Sequence, residues 1–418
     1  IPGQEAKTVA AGLSVQDALK ELLSKKQRRQ AVAARCNGEA ADLSASLQAD
    51  TVIEPVSADS EEGLHILRHS SAHIMAQAVK ELFGQEVKVA IGPAIEEGYY
   101  YDFDRATAFT PDDFAAIEER MAEIVKARLP FARRMLPMAE AITFFADQGE
   151  KYKVELLKDL EKEGEETVSL YQQGDFVDLC RGPHIPDTSW LKSFKLLRVA
   201  GSYWRGDERN PMLTRIYGTA FFDKKDLKKY LNRLEEAKKR DHRKLGKQLC
   251  LFTIQDEVGP GLILWQPRGA LLRKLIEDYW KDAHYTNGYE LLYTPHIARQ
   301  DLWKTSGHLD FYGENMYSAM EIDEVAYQLK PMNCPFHIGI YNATKHSYRE
   351  FPVRWCELGT VYRYERTGAL HGLMRVRNFV QDDAHIFCTE DQILSEVLAF
   401  NNLLFEVYKD FGFDEVLI

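Results

Sequence analysis

His69 and His73 stand four residues apart in the stretch RHSSAHIMAQAVKELF. On a helix that spacing puts both imidazoles on one face. Ser70 follows the first histidine, which excludes the zinc-protease pattern, where a glutamate fills that place. A second cluster, Asp178-Leu-Cys180-Arg-Gly-Pro-His184, again sets a thiol and an imidazole four apart. The Gly-Pro pair between them predicts a loop, where polar side chains face clefts more often than cores. Together His69, His73, Cys180 and His184 have the number and type of ligands for zinc. The same four suit a metal-free hydrolytic pocket, in which histidines and a thiol bind and polarise a water. Separate structural roles are the third reading, and the residue types alone leave all three open.

A second constellation lies near the other end. Arg363-Tyr-Glu365-Arg366 ends a predicted strand, and TGALHG leads to another, Leu373-Met-Arg375-Val-Arg377-Asn378-Phe379. Arginines on both arms of a hairpin can grip a polyphosphate through bidentate hydrogen bonds. Phe379 can stack on a base, and Glu365 can accept from an amino group. Taken singly, arginines in exposed strands are simply solvated. Gln381, Asp382, Asp383 and His385 follow at once, and Lys330-Pro-Met-Asn-Cys334-Pro-Phe-His337 lies upstream. Cys334 and His385 are residue types that hold zinc, but two ligands do not make a site. Glycine-rich phosphate loops are absent from the sequence, so a bound nucleotide must be held by side chains.

The elements that must position these residues follow from periodicity. Residues 13–27 predict a short amphipathic helix, and residues 31–56 brief strands punctuated by the hairpin dipeptide Asn37-Gly38. From Gly63 a helical pattern through Leu64, Leu67, Ile74, Ala78 and Leu82 ends at Gly84, a C-cap residue. KVAIGPAIEEGYYYDFD predicts two strands around a turn, and residues 112–127 and 139–149 two more helices. Residues 223–247 carry eleven Lys/Arg against five acids, with Leu227, Leu231, Leu234 and Ala237 as one apolar stripe. That predicts a solvated connecting helix, with a phosphate-backbone surface as the alternative. Beyond Cys250 come a helix over 269–284, a strand stopped at Pro295, and the strands of the second constellation.

At 418 residues the chain predicts two to four domains. Its 53 Lys+Arg against 64 Asp+Glu, net −11, exclude a wholesale basic coat for nucleic acid but not a local basic surface. No apolar run approaches the roughly 18 residues of a membrane span, so the chain reads as soluble. Six scattered cysteines without a C-x-x-C predict a reducing compartment.

The motifs RHSSAHIMAQAVKELF, VDLCRGPHIP, YWRGD, RIYGTAF, RDHRKLGKQL, KPMNCPFH, RYERTGALHGLMRVRNF and QDDAHIF, in this order, resemble threonyl-tRNA synthetase, a class II aminoacyl-tRNA synthetase. The resemblance covers essentially the whole chain and is weakest over the first 60 residues. It implies an α+β, multidomain chain: a ubiquitin-like β-grasp (TGS-type) module at 1–62 and an α+β editing domain at 63–222. A basic linker helix at 223–246 then leads to a class II antiparallel-sheet catalytic domain at 247–418, truncated before motif 3. It implies ATP-dependent activation of L-threonine, with Mg2+, transfer to tRNA(Thr), and hydrolytic editing of mischarged seryl-tRNA(Thr). In such a family Cys334 and His385 hold a catalytic Zn2+, and the third protein ligand falls beyond Ile418. A hydroxyl-seeking site refuses valine, but serine lacks only a methyl, worth about 10- to 200-fold in discrimination, hence the second site. By the same resemblance, editing residues are His69, His73, Lys153, Asp178, Cys180 and His184, with a metal there left open. Arg363 and Arg375 match phosphate contacts, Glu365 an adenine contact, Phe379 its stacking partner, and Asp383, with Gln381 nearby, the receiver of the threonine ammonium. Pro295 resembles the motif-1 proline of a subunit interface, which implies a homodimer.

The chain opens Ile-Pro-Gly and stops in the alternating stretch Asp414–Ile418, which predicts processing at the front and a missing portion at the back. The expectation is that this polypeptide lacks aminoacylation by itself while its editing constellation is complete. Two alternatives are a stand-alone seryl-tRNA hydrolase and a non-catalytic RNA-binding regulator. The location expected is the cytoplasm, with mitochondrion or plastid as alternatives because no targeting peptide is visible.

Overall fold

The computed structural model describes residues 12–84, 86–413 and 416, and the chain divides into two units, 1–234 and 235–418. The reading of Asp414–Ile418 as a strand falls almost wholly outside the described residues.

In the first unit, Ser14 caps the helix Val15–Leu22, accepting from the Asp17 amide, and Ser24 starts a separate short helix, Lys25–Gln30. Ser24 and Gln27 form a capping box there, so a single predicted helix is in fact two. The strand Ala31–Cys36 turns back at Asn37-Gly38, both at positive φ (53° and 88°), onto Glu39–Ala41, as the hairpin dipeptide requires. Ile53–Ser57 pairs on its other edge, completing a three-stranded antiparallel sheet. Val15, Ala18 and Leu19 of the first helix share a core with Ala31, Ala34, Leu43 and Ile53.

The helix Glu61–Phe83 follows, capped by Ser60 and ended by Gly84 at φ 76°. The pattern had suggested one buried stripe. Instead every residue from Ser70 to Val79 is buried, and Leu82 is exposed. A helix enclosed all round must be covered on all sides. An antiparallel sheet ordered Ser193–Tyr203, Met212–Phe221, Gly98–Asp104 and Lys88–Val89 covers it, with the helix Phe114–Ala127 alongside. A second sheet pairs Ala132–Pro137 with Thr167–Gln173 and Phe176–Leu179. The helices Met138–Asp147 and Lys151–Lys162 pack on each other beside it; the second was not signalled by its pattern.

The charged segment also divides. Lys224–Lys239 is helical, and Asp241 caps a new helix, His242–Gln248, by accepting from the Arg243 amide. The helix Lys224–Lys239 buries Tyr230, with Leu227, Leu231 and Leu234 half-buried and Ala237 exposed.

In the second unit, Val353–Tyr362 pairs antiparallel with Asn378–Phe387, while the short Glu290–Leu291 adds a parallel edge. Strand alternation puts Phe379, Gln381, Asp383 and His385 on one face. Cys356, Leu358, Ala384 and Ile386 on the other face meet Trp280 of the helix Pro267–Thr286 and Leu403 of the helix Ile393–Asp410. Arg363 through Arg377 form the loop between the two long strands, so the arginines lie on the connection and not on strand arms. Among the described residues no helix is long and apolar enough to cross a membrane.

Candidate functional site

The buried helix presents His69 and His73 to the loop that follows the strand Phe176–Leu179. His69 Nε2 lies 3.0 Å from Cys180 Sγ, and His184 Nε2 lies 3.4 Å from the same sulfur. One donor atom from each of His69, His73, Cys180 and His184 falls within 4.8 Å of the others. The predicted four therefore meet at one point.

Hydrogen bonding sets the tautomers. Ser70 Oγ donates to the Ile66 carbonyl (2.8 Å) and accepts from the Ile185 amide (3.0 Å). Its proton is thus committed, so at 3.1 Å it must accept from His184 Nδ1–H. His184 Nε2 is left with a lone pair facing the thiol. His73 Nδ1 lies 3.5 Å from Asp178 Oδ2, which favours its Nδ1–H form and leaves Nε2 as acceptor. Asp178 itself is enclosed: Lys153 Nζ reaches Oδ1 at 2.5 Å, and the Tyr101 hydroxyl donates to Oδ2 at 2.5 Å. Lys153 also donates to the Tyr101 oxygen at 3.0 Å.

Burial controls the charges. It lowers His69 to about 3, with the neighbouring His73 adding to the effect, and His73 to about 4, against the pull of Asp178. His184 falls well below its usual value for the same reason, followed by the other two histidines. Burial raises the Cys180 thiol to about 12, so at neutral pH it is a neutral thiol and not a thiolate nucleophile. For Asp178, burial works upward, but Lys153, His73 and the hydrogen bonds hold the carboxyl below its ordinary value. The result is a nearly neutral pocket of imidazoles and thiol backed by one buried ion pair. Beside Cys180 a cleft of about 660 Å³ opens, lined by Arg133, Arg181 and Arg205 and by Asp159, Glu163 and Glu165 among others; Arg205 pairs with Glu155 and Asp159.

Sequence reasoning missed Tyr101 and Ser70. Tyr101 was legible in principle: in the strand Gly98–Asp104, Tyr99, Tyr101 and Phe103 alternate inward and are all fully buried. Ser70 had served only to exclude a protease motif.

In the second unit the helix Cys334–Asn342 faces the strand Asn378–Phe387. Donor atoms of Cys334, Asp383 and His385 lie within 4.8 Å of one another. His337, one turn after Cys334, meets His385 Nδ1 to Nδ1 at 2.9 Å and places Nε2 3.1 Å from Glu357 Oε2. Since a carboxylate can only accept, His337 carries its proton on Nε2 and accepts at Nδ1. His385 is then the Nδ1–H tautomer, with Nε2 free to bind a metal. Glu357 also accepts from the Thr294 amide and hydroxyl, and Lys330 Nζ donates to Thr294 Oγ1 at 2.7 Å. A thiol and an imidazole are zinc ligands, so Cys334 and His385 fit the implied metal. Asp383 accepts from Asn333 Nδ2 at 3.1 Å. Gln381 lies on the same face, opposite Gly359.

The arginine loop is more open. The Arg363 guanidinium lies 5.2 Å from the Phe379 ring centre, and Arg363 Nε is 3.4 Å from the Pro331 carbonyl. Arg375 and Glu365, expected to touch different parts of a nucleotide, pair with each other at 2.9 Å. Arg377 holds the Glu365 carbonyl with two donors. Of the basic residues in the connecting segment, Lys239 pairs with Glu236 and Arg243 grips Asp241, which reduces the charge free for phosphate.

Two family models match this chain. Residues 168–217 match the threonyl and alanyl tRNA synthetase second additional domain. Residues 317–418 match the tRNA synthetase class II core domain (G, H, P, S and T). Over these residues the chain is thus similar to a class II tRNA synthetase core and to an additional synthetase domain. Threonine–tRNA ligase of Magnetococcus marinus is 55% identical over 92% of this chain and 59% of its own length. That of a Sulfurihydrogenibium strain is 53% identical over 98% and 63%. A crystal structure of the RNA binding domain of threonyl-tRNA synthetase from Cryptosporidium parvum Iowa II overlays with a TM-score of 0.40 at 44% identity, covering 41% of this chain and 43% of that one. The chain spans about 60% of the length of the curated relatives it matches. Over that span it is similar to threonine–tRNA ligases.

Proposed function

We propose that this chain serves a threonine–tRNA ligase, with ATP-dependent activation of L-threonine in the second unit and hydrolysis of seryl-tRNA(Thr) in the first. The convergence of His69, His73, Cys180 and His184 on one point, backed by Lys153, Asp178 and Tyr101, carries this reading. The functional division proposed is the one the resemblance implies: a ubiquitin-like module at 1–62, an editing domain at 63–222, a linker helix at 223–246 and a catalytic domain at 247–418.

In the editing reaction, His73 Nε2 accepts a proton from water as its oxygen adds to the seryl carbonyl carbon. The ester bond to the ribose oxygen then breaks, and the proton passes from His73 to that oxygen. Asp178 orients His73 and stabilises its transient charge; Lys153 and Tyr101 keep Asp178 ionised. Arg133 and Arg181 in the adjoining cleft suit the phosphates of the acceptor end.

In the second unit Arg363 and Arg375 bind ATP phosphates, Phe379 stacks on the base, Glu365 accepts from its amino group, and Asp383 with Gln381 receives the threonine ammonium. Arg375, 58% exposed, must leave the part-buried Glu365 for this. Cys334 and His385 would hold zinc, which when bound supplies Lewis-acid attraction for amino and hydroxyl groups. Mg2+ accompanies ATP; tRNA(Thr), a second copy of the chain and a cytoplasmic setting complete the reading.

The test is deacylation of seryl-tRNA beside threonyl-tRNA, with His73→Ala as control. Selective serine release, lost by about 10²- to 10⁴-fold in the variant, is expected. Undiminished release in His73→Ala would remove His73 from the mechanism, and no release despite measured tRNA binding would overturn the site.

A further inference from the structure

One buried carboxylate near the first site comes from outside the elements that carry its histidines. Asp42 follows the strand Glu39–Ala41 of the small N-terminal sheet and is 6% exposed. Its Oδ1 accepts from the backbone amide of His184 at 2.8 Å, and its Oδ2 accepts from the Tyr171 hydroxyl at 2.6 Å. Tyr171, on the strand Thr167–Gln173, is itself a wall of the site. Its ring meets His184 edge-on with centres 4.4 Å apart. Its hydroxyl sits where a Cβ on Gly182 would fall, only 1.9 Å away, and Gly182 holds φ +72°. One carboxylate therefore holds both the backbone of the Cys180–His184 loop and the ring beneath it. The N-terminal sheet is seated for this: Val32, Ala33 and Val56 share a core with Leu67, Ile74 and Ile185.

We propose that Asp42 is a positioning residue for the His69–Cys180–His184 site, by which the N-terminal module sets the loop that carries Cys180 and His184. This rests on the hydrolytic reading above for its functional meaning, and on the geometry alone for the loop. Asp42 does not touch reacting atoms. It fixes where the His184 ring and the Cys180 sulfur stand relative to the helix that bears His69 and His73.

The experiment compares the wild-type chain with Asp42→Ala, Asp42→Asn and Tyr171→Phe. Hydrogen exchange of the His184 amide and modification of Cys180 by a thiol reagent, followed by peptide mapping, report the loop without reference to activity. Seryl-tRNA hydrolysis, resolved into kcat and KM, reports its consequence. Asp42→Ala should speed both exchange and thiol modification about tenfold or more, the size of a lost hydrogen bond to a charged group. It should lower kcat comparably, with KM within about threefold. Asp42→Asn keeps an acceptor for the His184 amide and can donate to the Tyr171 oxygen, so it should stay within about threefold of wild type on every readout. Tyr171→Phe, which keeps the apolar ring, should fall between the two, and decides the matter if Asp42→Ala does not fold. Unchanged exchange and thiol reactivity in Asp42→Ala, or in Tyr171→Phe in its place, would overturn the inference. So would a loosened loop with unchanged kcat. If wild type itself hydrolyses no seryl-tRNA, the functional reading fails, while exchange and thiol modification still decide the claim about the loop.

Discussion

The pocket around His73 is filled with its own partners, whereas the loop Arg363–Arg377 leaves Arg366 and Arg375 exposed to solvent. Lys153 and Asp178 have side chains 3% and 2% exposed; Arg375 is 58% exposed. The first arrangement suits a reaction of a neutral ester with water, where the protein must supply orientation and a proton acceptor. The second suits a polyanionic ligand, whose arrival itself neutralises the arginines. Charge therefore does opposite work in the two places. In the closed pocket it is a structural commitment, and in the open loop it is held for a ligand.

Four outcomes would break or sharpen that contrast. Lys153→Met strands the Asp178 carboxylate in the interior and should cost about 3–5 kcal/mol in a urea melt. Removing both charges, Lys153→Met with Asp178→Leu, should cost less than the single change. If the single change is silent, the pocket is not closed in the sense argued.

Acid should come next. His73 falls from an ordinary value near 6.5 to about 4 on folding. Between those pH values the unfolded chain binds a proton that the folded chain refuses, so stability drops as pH falls through that window. The loss reaches on the order of 3 kcal/mol near pH 4 for this residue alone. Asp178 acts in the same direction but later. Its lowered pKa contributes stability above about 3.8 that is lost at still lower pH. Urea midpoints from pH 7.5 down to 4 in wild type and His73→Leu would show the slope and its flattening.

Gly182→Ala should cost about 2 kcal/mol, since it strains a positive φ and drives a methyl into the Tyr171 hydroxyl. Thermal unfolding measures it, and a stabilised variant would mean that the loop stands elsewhere. Smallest is Arg375→Ala: Arg375 is 58% exposed, and a pair screened by solvent on one side is worth about 1 kcal/mol, so the urea midpoint should hardly move. ATP affinity by calorimetry on the same variant should still fall, about tenfold or more. A large stability loss instead would make the loop a structural element like the pocket.

The two sites were also unequally legible. His69 and His73 were readable because helical spacing is a strong local constraint, and Cys180 with His184 because Gly182-Pro183 forces a turn. What carries their chemistry was less so. Tyr101 reaches Asp178 from 77 positions away, a pairing no local pattern records. Lys153 came only through family likeness, because its helix carries no signal distinguishing a buried lysine from the exposed ones around it. In the second unit, alternation along residues 378–387 did place Phe379, Gln381, Asp383 and His385 together. The mutual pairing of Arg375 with Glu365 was not legible, since both the loop path and the hairpin ends depend on contacts made after folding. Leu82 is helical as its spacing predicts, and it is exposed because it lies beyond the enclosed stretch Ser70–Val79, where the helix end reaches solvent.

That enclosure has a consequence for how such a pocket can change over generations. From Ser70 to Val79 the helix bearing His73 has no side free of neighbours, so almost any substitution along it disturbs packing as well as chemistry. The histidines are carried on the least adjustable part of the molecule. Innovation in what this pocket accepts is therefore channelled into the residues around it. The loop 180–184 and the cleft beside Cys180 are the parts a lineage can alter while the helix stays as it is.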